Sequence, residues 1–288
     1  MKIHQIIFVL LLSLAGHANA TIPLAINQDI ASSTTMFQRI YQLAAEKADP
    51  AAMYALGNLF MEGIGVEKNY DEAFKWYFRA ADLGHSGAMN FLGIAYATGK
   101  GVPQSNAMSF LWFLKAADKG LVEAMENVAI AYSLGAGRPV DYSEAAKWFE
   151  RAASKGDASA MNSLAVFYEK GTGVPQDPQT AAVLFARSAK SGNALAMKNL
   201  GVLYANGESV KQDNRVAYAW IATALDAGLQ GQDRDEAIQQ LDALSVELGA
   251  HELIYARKLA DQFSSVIEHH QRPQKAGTTA VSPKPSFL

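Results

Sequence analysis

Several groups of residues in this chain have a type and spacing that could do chemistry, and each departs from the pattern at a definable position. His251-Glu252 opens the helix of a zinc peptidase, where two histidines four residues apart face one ion and the glutamate activates water. The fourth residue on is Tyr255, so the second imidazole is missing and no metal site is expected. His269 and His270 are adjacent, and neighbours on a helix point about 100° apart rather than at one ion. Gly63-Ile64-Gly65, Gly99-Lys100-Gly101, Gly135-Ala136-Gly137 and Gly171-Thr172-Gly173 begin like dinucleotide-binding turns. The third glycine is replaced by Lys68, Gln104, Val140 and Gln176, and no strand is expected ahead of them, so no cofactor is implied. Gly99-Lys100 runs into Gly101 and makes no P-loop. No serine stands three residues before a lysine, which removes the Ser-x-x-Lys acyl-transfer pattern. Cysteine is absent, and with it disulfides, thiolate metal sites and cysteine nucleophiles. No catalytic, cofactor-binding or metal-binding residues are therefore expected. Scattered Asp and Glu leave acid–base chemistry as a formal alternative.

Charge narrows the partners. Lys plus Arg total 25 against 28 Asp plus Glu, a net charge of −3. A nucleic-acid binder usually carries a basic excess to neutralise phosphates, so nucleic acid is not an expected partner. At the N-terminus, Lys2 precedes an apolar run from Ile6 to Leu14, and Ala18-Asn19-Ala20 fits the small-x-small rule of an export signal. The run is short of the ~20 residues that span a bilayer. Residues 1–20 are expected to be a signal peptide cleaved between Ala20 and Thr21, leaving a periplasmic or secreted protein with no stable membrane span.

What positions the remaining side chains is an internal repeat. Met53, Met89, Met125, Met161 and Met197 share a spacing of 36 residues, and each follows an alanine. Three residues on stand Leu56, Leu92, Val128, Leu164 and Leu200. Further on come Trp76, Trp112, Trp148, Leu184 and Trp220, and each unit closes on Gly84, Gly120, Gly156, Gly192 or Gly228. The frame gives five units at 49–84, 85–120, 121–156, 157–192 and 193–228. With 50% hydrophobic residues, there is enough apolar surface for a core.

Each unit predicts two helices. Ala52, Met53, Leu56, Gly57 and Phe60 form the stripe of a first amphipathic helix, with Asp49 as its cap and Gly63 as its stop. Ala73, Trp76, Tyr77, Ala80 and Ala81 form that of a second. A lone helical pair cannot cover both apolar faces, so units must stack. Residues 34–48 are expected to be an N-terminal capping helix, since Tyr41, Ala44 and Ala45 precede Tyr77, Ala80 and Ala81 by 36 residues. Residues 229–270 are expected to be a C-terminal pair of capping helices broken at Gly249. Residues 21–33 read as a flexible leader and 271–288 as a disordered, Pro-bearing tail.

The pattern Ala-Met-x-x-Leu-Gly-x-x-Tyr-x-x-Gly-x-Gly-Val, then Ala-x-x-Trp-Phe-x-x-Ala-Ala-x-x-Gly, resembles the Sel-one-like repeat, a bacterial relative of the tetratricopeptide solenoids. The resemblance implies an all-α, right-handed α/α solenoid and an adaptor or scaffold role. The partner would be a protein or peptide, either an envelope component or a host protein. The alternative is a cell-envelope hydrolase acting on a β-lactam or peptidoglycan. By analogy with tetratricopeptide arrays, the first helices line an inner groove. The residue after each Met points about 100° from it. This set, Tyr54, Asn90, Glu126, Asn162 and Lys198, differs between units where the packed columns repeat. Five residues after each Met lie Asn58, Ile94, Ile130, Val166 and Val202. Tyr54, Asn58, Asn90, Glu126, Asn162 and Lys198 are the groove candidates for an extended peptide. A solvated polar face and apolar packing between units are the competing readings.

Overall fold

The computed structural model describes residues 30–207 and 209–271. The expected signal peptide, most of the leader and the tail after Gln271 lie outside the described residues. Among those described, every regular element is an α-helix. They are α1 (Ile30–Lys47), α2 (Pro50–Glu62), α3 (Tyr70–Asp82), α4 (Ser86–Thr98), α5 (Asn106–Asp118), α6 (Val122–Leu134), α7 (Tyr142–Ser154) and α8 (Ala158–Lys170), followed by α9 (Pro178–Lys190), α10 (Ala194–Asn206), α11 (Asn214–Asp226) and α12 (Gly231–Gln271). Two compact units divide the chain, one ending at Asp177 and carrying α1 to α8, the other beginning at Pro178 and carrying α9 to α12.

Local chemistry sets the helix ends. Asp49 accepts from the amides of Ala51 and Ala52, Asp157 from that of Ala160 and Asn193 from that of Ala196, each satisfying donors that a first turn leaves unpaired. Leu121 starts α6 without a side-chain cap. Every first helix stops on a left-handed glycine, such as Gly63 at φ 75° and Gly171 at φ 66°, a conformation that costs glycine little.

Within the first unit the core is the repeated stripe. Leu56, Leu92 and Val128 are fully buried, and so are Ala80, Ala116 and Ala152 on the second helices. Trp76, Trp112 and Trp148 are buried, each with a cation against its ring from Arg79, Lys115 or Arg151 one turn on. The helices of a pair approach so closely that a Cβ on Gly93 would stand 2.5 Å from the Phe113 ring. Ala129 and Ala165 take the same column and are also fully buried, so the close approach is not equally tight in every repeat. The N-terminal helix α1 begins at Ile30, four residues ahead of the expected start. Its Ala44 is fully buried, and Tyr41 meets Trp76 edge-on at 5.7 Å.

The second unit ends in α12, in which two helices meet at a kink at the non-helical Gly249 (φ 67°, ψ 175°), where the sequence placed its break. Ala237 and Ala260 stand 36 residues after Gly201 and Ala224 and are buried like them. Trp220 stacks on Phe263 at 4.3 Å, and the Thr223 hydroxyl lies 3.4 Å from the Ala260 carbonyl. The α12 segment thus continues the repeat packing with almost none of the repeat's sequence.

Candidate functional site

The motif pair His251-Glu252 lies at the surface. The His251 ring is 96% exposed and lies 3.4 Å from Glu252. Among the described residues, no three His, Cys, Asp or Glu side chains converge on a possible metal position, and no helix is long and apolar enough to cross a membrane.

The polar column after the methionines does not stand clear of the packed core. Glu126 is 9% exposed, Asn162 7% and Lys198 6%, while Tyr54 and Asn90 are half-buried. The reason is visible in their bonds. Asn127 Nδ2 donates to Asn90 Oδ1 at 3.1 Å, joining the first helices α4 and α6 of consecutive repeats. Lys198 Nζ donates to Asp233 at 2.5 Å and to Glu236 at 2.8 Å, joining α10 to the start of α12. A direction 100° from the core on a lone helix meets a neighbouring first helix once repeats stack. Much of the column is therefore seam. Neither a solvated face nor a freely open groove describes Glu126, Asn162 or Lys198. Ile94, Ile130, Val166 and Val202 are half-buried throughout.

The two seams differ electrically. Burial opposes the charge on Lys198, but its hydrogen bonds to Asp233 and Glu236 outweigh that and raise its pKa above the ordinary lysine value. The hydrogen bond from Lys198, followed by that from Gln232, holds Glu236 below the ordinary carboxylate value.

At the other end of the array, the first two repeats build an aromatic and amide cluster. Tyr54 stacks on the His85 imidazole at 4.5 Å and lies 5.6 Å from Phe91, while Tyr77 stacks on Phe91 at 4.9 Å. The Tyr77 hydroxyl donates to Asn58 Oδ1 at 2.7 Å. Burial raises the Tyr54 phenol, against the hydrogen bond with Asn58, and pushes Tyr77 well above the ordinary tyrosine value. Burial also lowers the pKa of His85, which keeps Nδ1 free to accept from the Ala88 amide at 3.1 Å and cap α4. The cluster holds no paired nucleophile and base. It offers ring faces and amide groups, the chemistry of peptide contact.

Phe91 and Asn127 join the site without having been singled out in the sequence. Both stand two residues after a Met, in the column Ala55, Phe91, Asn127, Ser163 and Asn199. That column varies as much as the one beside it, and the same rule of variation would have found them.

The chain belongs to the Sel1 repeat family, whose model matches residues 50–85, 86–121, 122–157, 158–193 and 194–229. These boundaries fall one residue after the frame set by the methionines. The fold is similar to that of a Sel1 repeat protein from Oxalobacter formigenes, at 28% identity over 84% of this chain and 100% of that one, with a TM-score of 0.65. It also matches a Sel1 repeat protein from Klebsiella pneumoniae at 20% identity, over 74% and 99% of the two chains, with a TM-score of 0.45. A third match is c5321, a protective antigen of uropathogenic Escherichia coli strains, at 21% identity over 89% and 77%, with a TM-score of 0.40. The comparison with curated proteins found no match. Sel1 repeat proteins generally mediate protein–protein interaction, and the family is typically non-catalytic.

Proposed function

We propose that the chain is an exported, non-catalytic interaction scaffold of the bacterial cell envelope, periplasmic or secreted, which holds a peptide or protein on the face of its first helices. The observation that carries this reading is the cluster of Tyr54, Asn58 and Phe91 in the first two repeats. These side chains are half-buried, present rings and amides, and occupy columns that change from repeat to repeat while the packed columns do not. Lys198 fixes how its own first helix stands against the start of α12. The export signal read at residues 1–20 and the family's adaptor roles support an envelope setting.

A photo-crosslinking residue placed at Tyr54 or Asn58 in the native host tests the face, with Lys147 as control. Lys147 is 63% exposed on a second helix. The expected result is one protein captured from both first-helix positions and not from Lys147. Capture from Lys147 alone would move the interface to the second helices. Fractionation tests the setting: a chain found in the cytosol with Met1 intact would remove the export reading. Hydrolysis of nitrocefin or peptidoglycan by pure protein, abolished by one substitution, would favour the hydrolase instead.

A further inference from the structure

Arg138 occupies a position that the other four repeats give to valine: Val66, Val102, Val174 and Val210, each 36 residues from the next occurrence of the column. Its guanidinium stands against two rings that also touch each other. The Cζ atom lies 3.6 Å from the centroid of Tyr132 and 4.7 Å from that of Phe110, and the two rings meet edge-on at 5.4 Å. Phe110 belongs to α5 of the preceding repeat and Tyr132 to α6 of its own. The turn that carries Arg138 is pinned at Gly137, where a Cβ would stand 2.3 Å from the Asn106 carbonyl oxygen at the start of α5.

This arrangement has the cation–π attraction but lacks an anion. The Nε atom is buried and has no hydrogen-bond partner, and among the described residues no carboxylate pairs with Arg138. The helix it packs on supplies none. The first turn of α3 carries Asp71 and Glu72 and that of α7 carries Glu144, but the first turn of α5 has no acid. Ala107 and Met108 stand where Asp71 and Glu72 stand one repeat earlier. Nε is buried and Cζ is held against two rings, while the side chain as a whole is half-buried. A guanidinium held against two rings and without an anion keeps its terminal nitrogens for two parallel hydrogen bonds to a planar oxyanion. A scaffold with no use for the charge is served by valine, as the other repeats are.

We infer that Arg138 is a binding site for a carboxylate of a peptide partner, an Asp or Glu side chain or a chain terminus, held at the edge of the third repeat. The site lies in the turn between α6 and α7 and does not depend on the first-helix face, so each can fail alone. The test is titration of full-length protein with an acetylated poly-glutamate peptide, its poly-glutamine counterpart and inorganic phosphate, followed by the NMR resonance of the Arg138 Nε–H and by calorimetry. The glutamate peptide is expected to shift that resonance and the glutamine peptide to leave it in place. Arg138→Val should melt at or above the wild type, because the repeat accommodates valine there, and should bind the glutamate peptide about tenfold more weakly, the usual scale for losing a charge-assisted pair. Arg138→Lys keeps the charge without the fork and should lose most of the same affinity. No binding to the wild type, equal binding by Arg138→Val, or full retention by Arg138→Lys would each overturn the inference. Phosphate displacing the glutamate peptide at lower concentration would overturn the choice of carboxylate over phosphoryl.

Discussion

The Asn90–Asn127 seam in the first unit and the Lys198–Asp233–Glu236 seam in the second sit at the same place in the repeat and use opposite chemistry. Both join one first helix to the next, across 37 residues in the amide pair and 35 and 38 in the ion cluster. The amide pair is neutral and exchanges one hydrogen bond between groups that do not titrate. The ion cluster sets a lysine side chain, 8% exposed, against carboxylates whose side chains are 46% and 44% exposed. Its energetics are therefore lopsided. The acids stay hydrated without the lysine, while the lysine without the acids is a charge removed from water. The difference teaches where each seam is vulnerable. A buried polar group that finds its partner in one register only makes mis-stacked neighbours costly, and the charged version makes them costlier.

The largest effect should come from Asp233→Asn with Glu236→Gln, which leaves Lys198 buried without an anion. Urea unfolding is expected to show a loss of about 3–5 kcal/mol, the range for orphaning a buried charge. A loss under about 1 kcal/mol would mean that the ammonium reaches water in the folded state. Acidification should act on the ion cluster and not on the Asn90–Asn127 hydrogen bond, whose two groups do not titrate. The folded value of Glu236 is depressed, so its contribution is present above the ordinary carboxylate value and fades as pH falls through the lowered one. Lys198, raised, contributes below its ordinary value and loses that contribution only in strong alkali. Hydrogen exchange at the start of α12 should speed up in acid before exchange in α4 and α6 does. Simultaneous loosening of both seams would break the contrast.

Smaller changes sharpen it. Asn127→Ala leaves Asn90 half-buried without its donor and should cost about 1 kcal/mol, with no dependence on pH. Lys198→Met removes the desolvated charge and keeps the stem's packing, while the two acids return to water. It should fall within about 1 kcal/mol of wild type, because an apolar replacement avoids the desolvation penalty of an ion pair. If Lys198→Met costs as much as the acid double variant, the seam is held by symmetric attraction and not by the buried ammonium.

Much of the fold was legible in the residues. The 36-residue period, the Met, Leu and Trp columns and the closing glycines fixed the number of repeats and both helices of each, since each element is set by contacts within a few turns. The N-terminal cap was legible because Ala44 keeps the column of Ala80. The candidate site was legible only in part. Variation between repeats found Tyr54, Asn58 and Asn90, but the expectation that the same column stayed open at Glu126, Asn162 and Lys198 did not hold. An angle around one helix is known from the residue count, while the number of helices packed around it is not.

The sequence by itself determined which residues repeat, where helices start and stop, and which catalytic motifs it does not contain, because those follow from local spacing and residue type. Only the tertiary structure decided that Lys198 meets Asp233 and Glu236 in a segment with almost no repeat signature. Only it decided that Tyr54 stacks on His85, and that the guanidinium of Arg138 lies against a ring of its own repeat and one of the repeat before. None of these meetings is set by spacing along one helix; which side chains meet is set by how neighbouring elements pack.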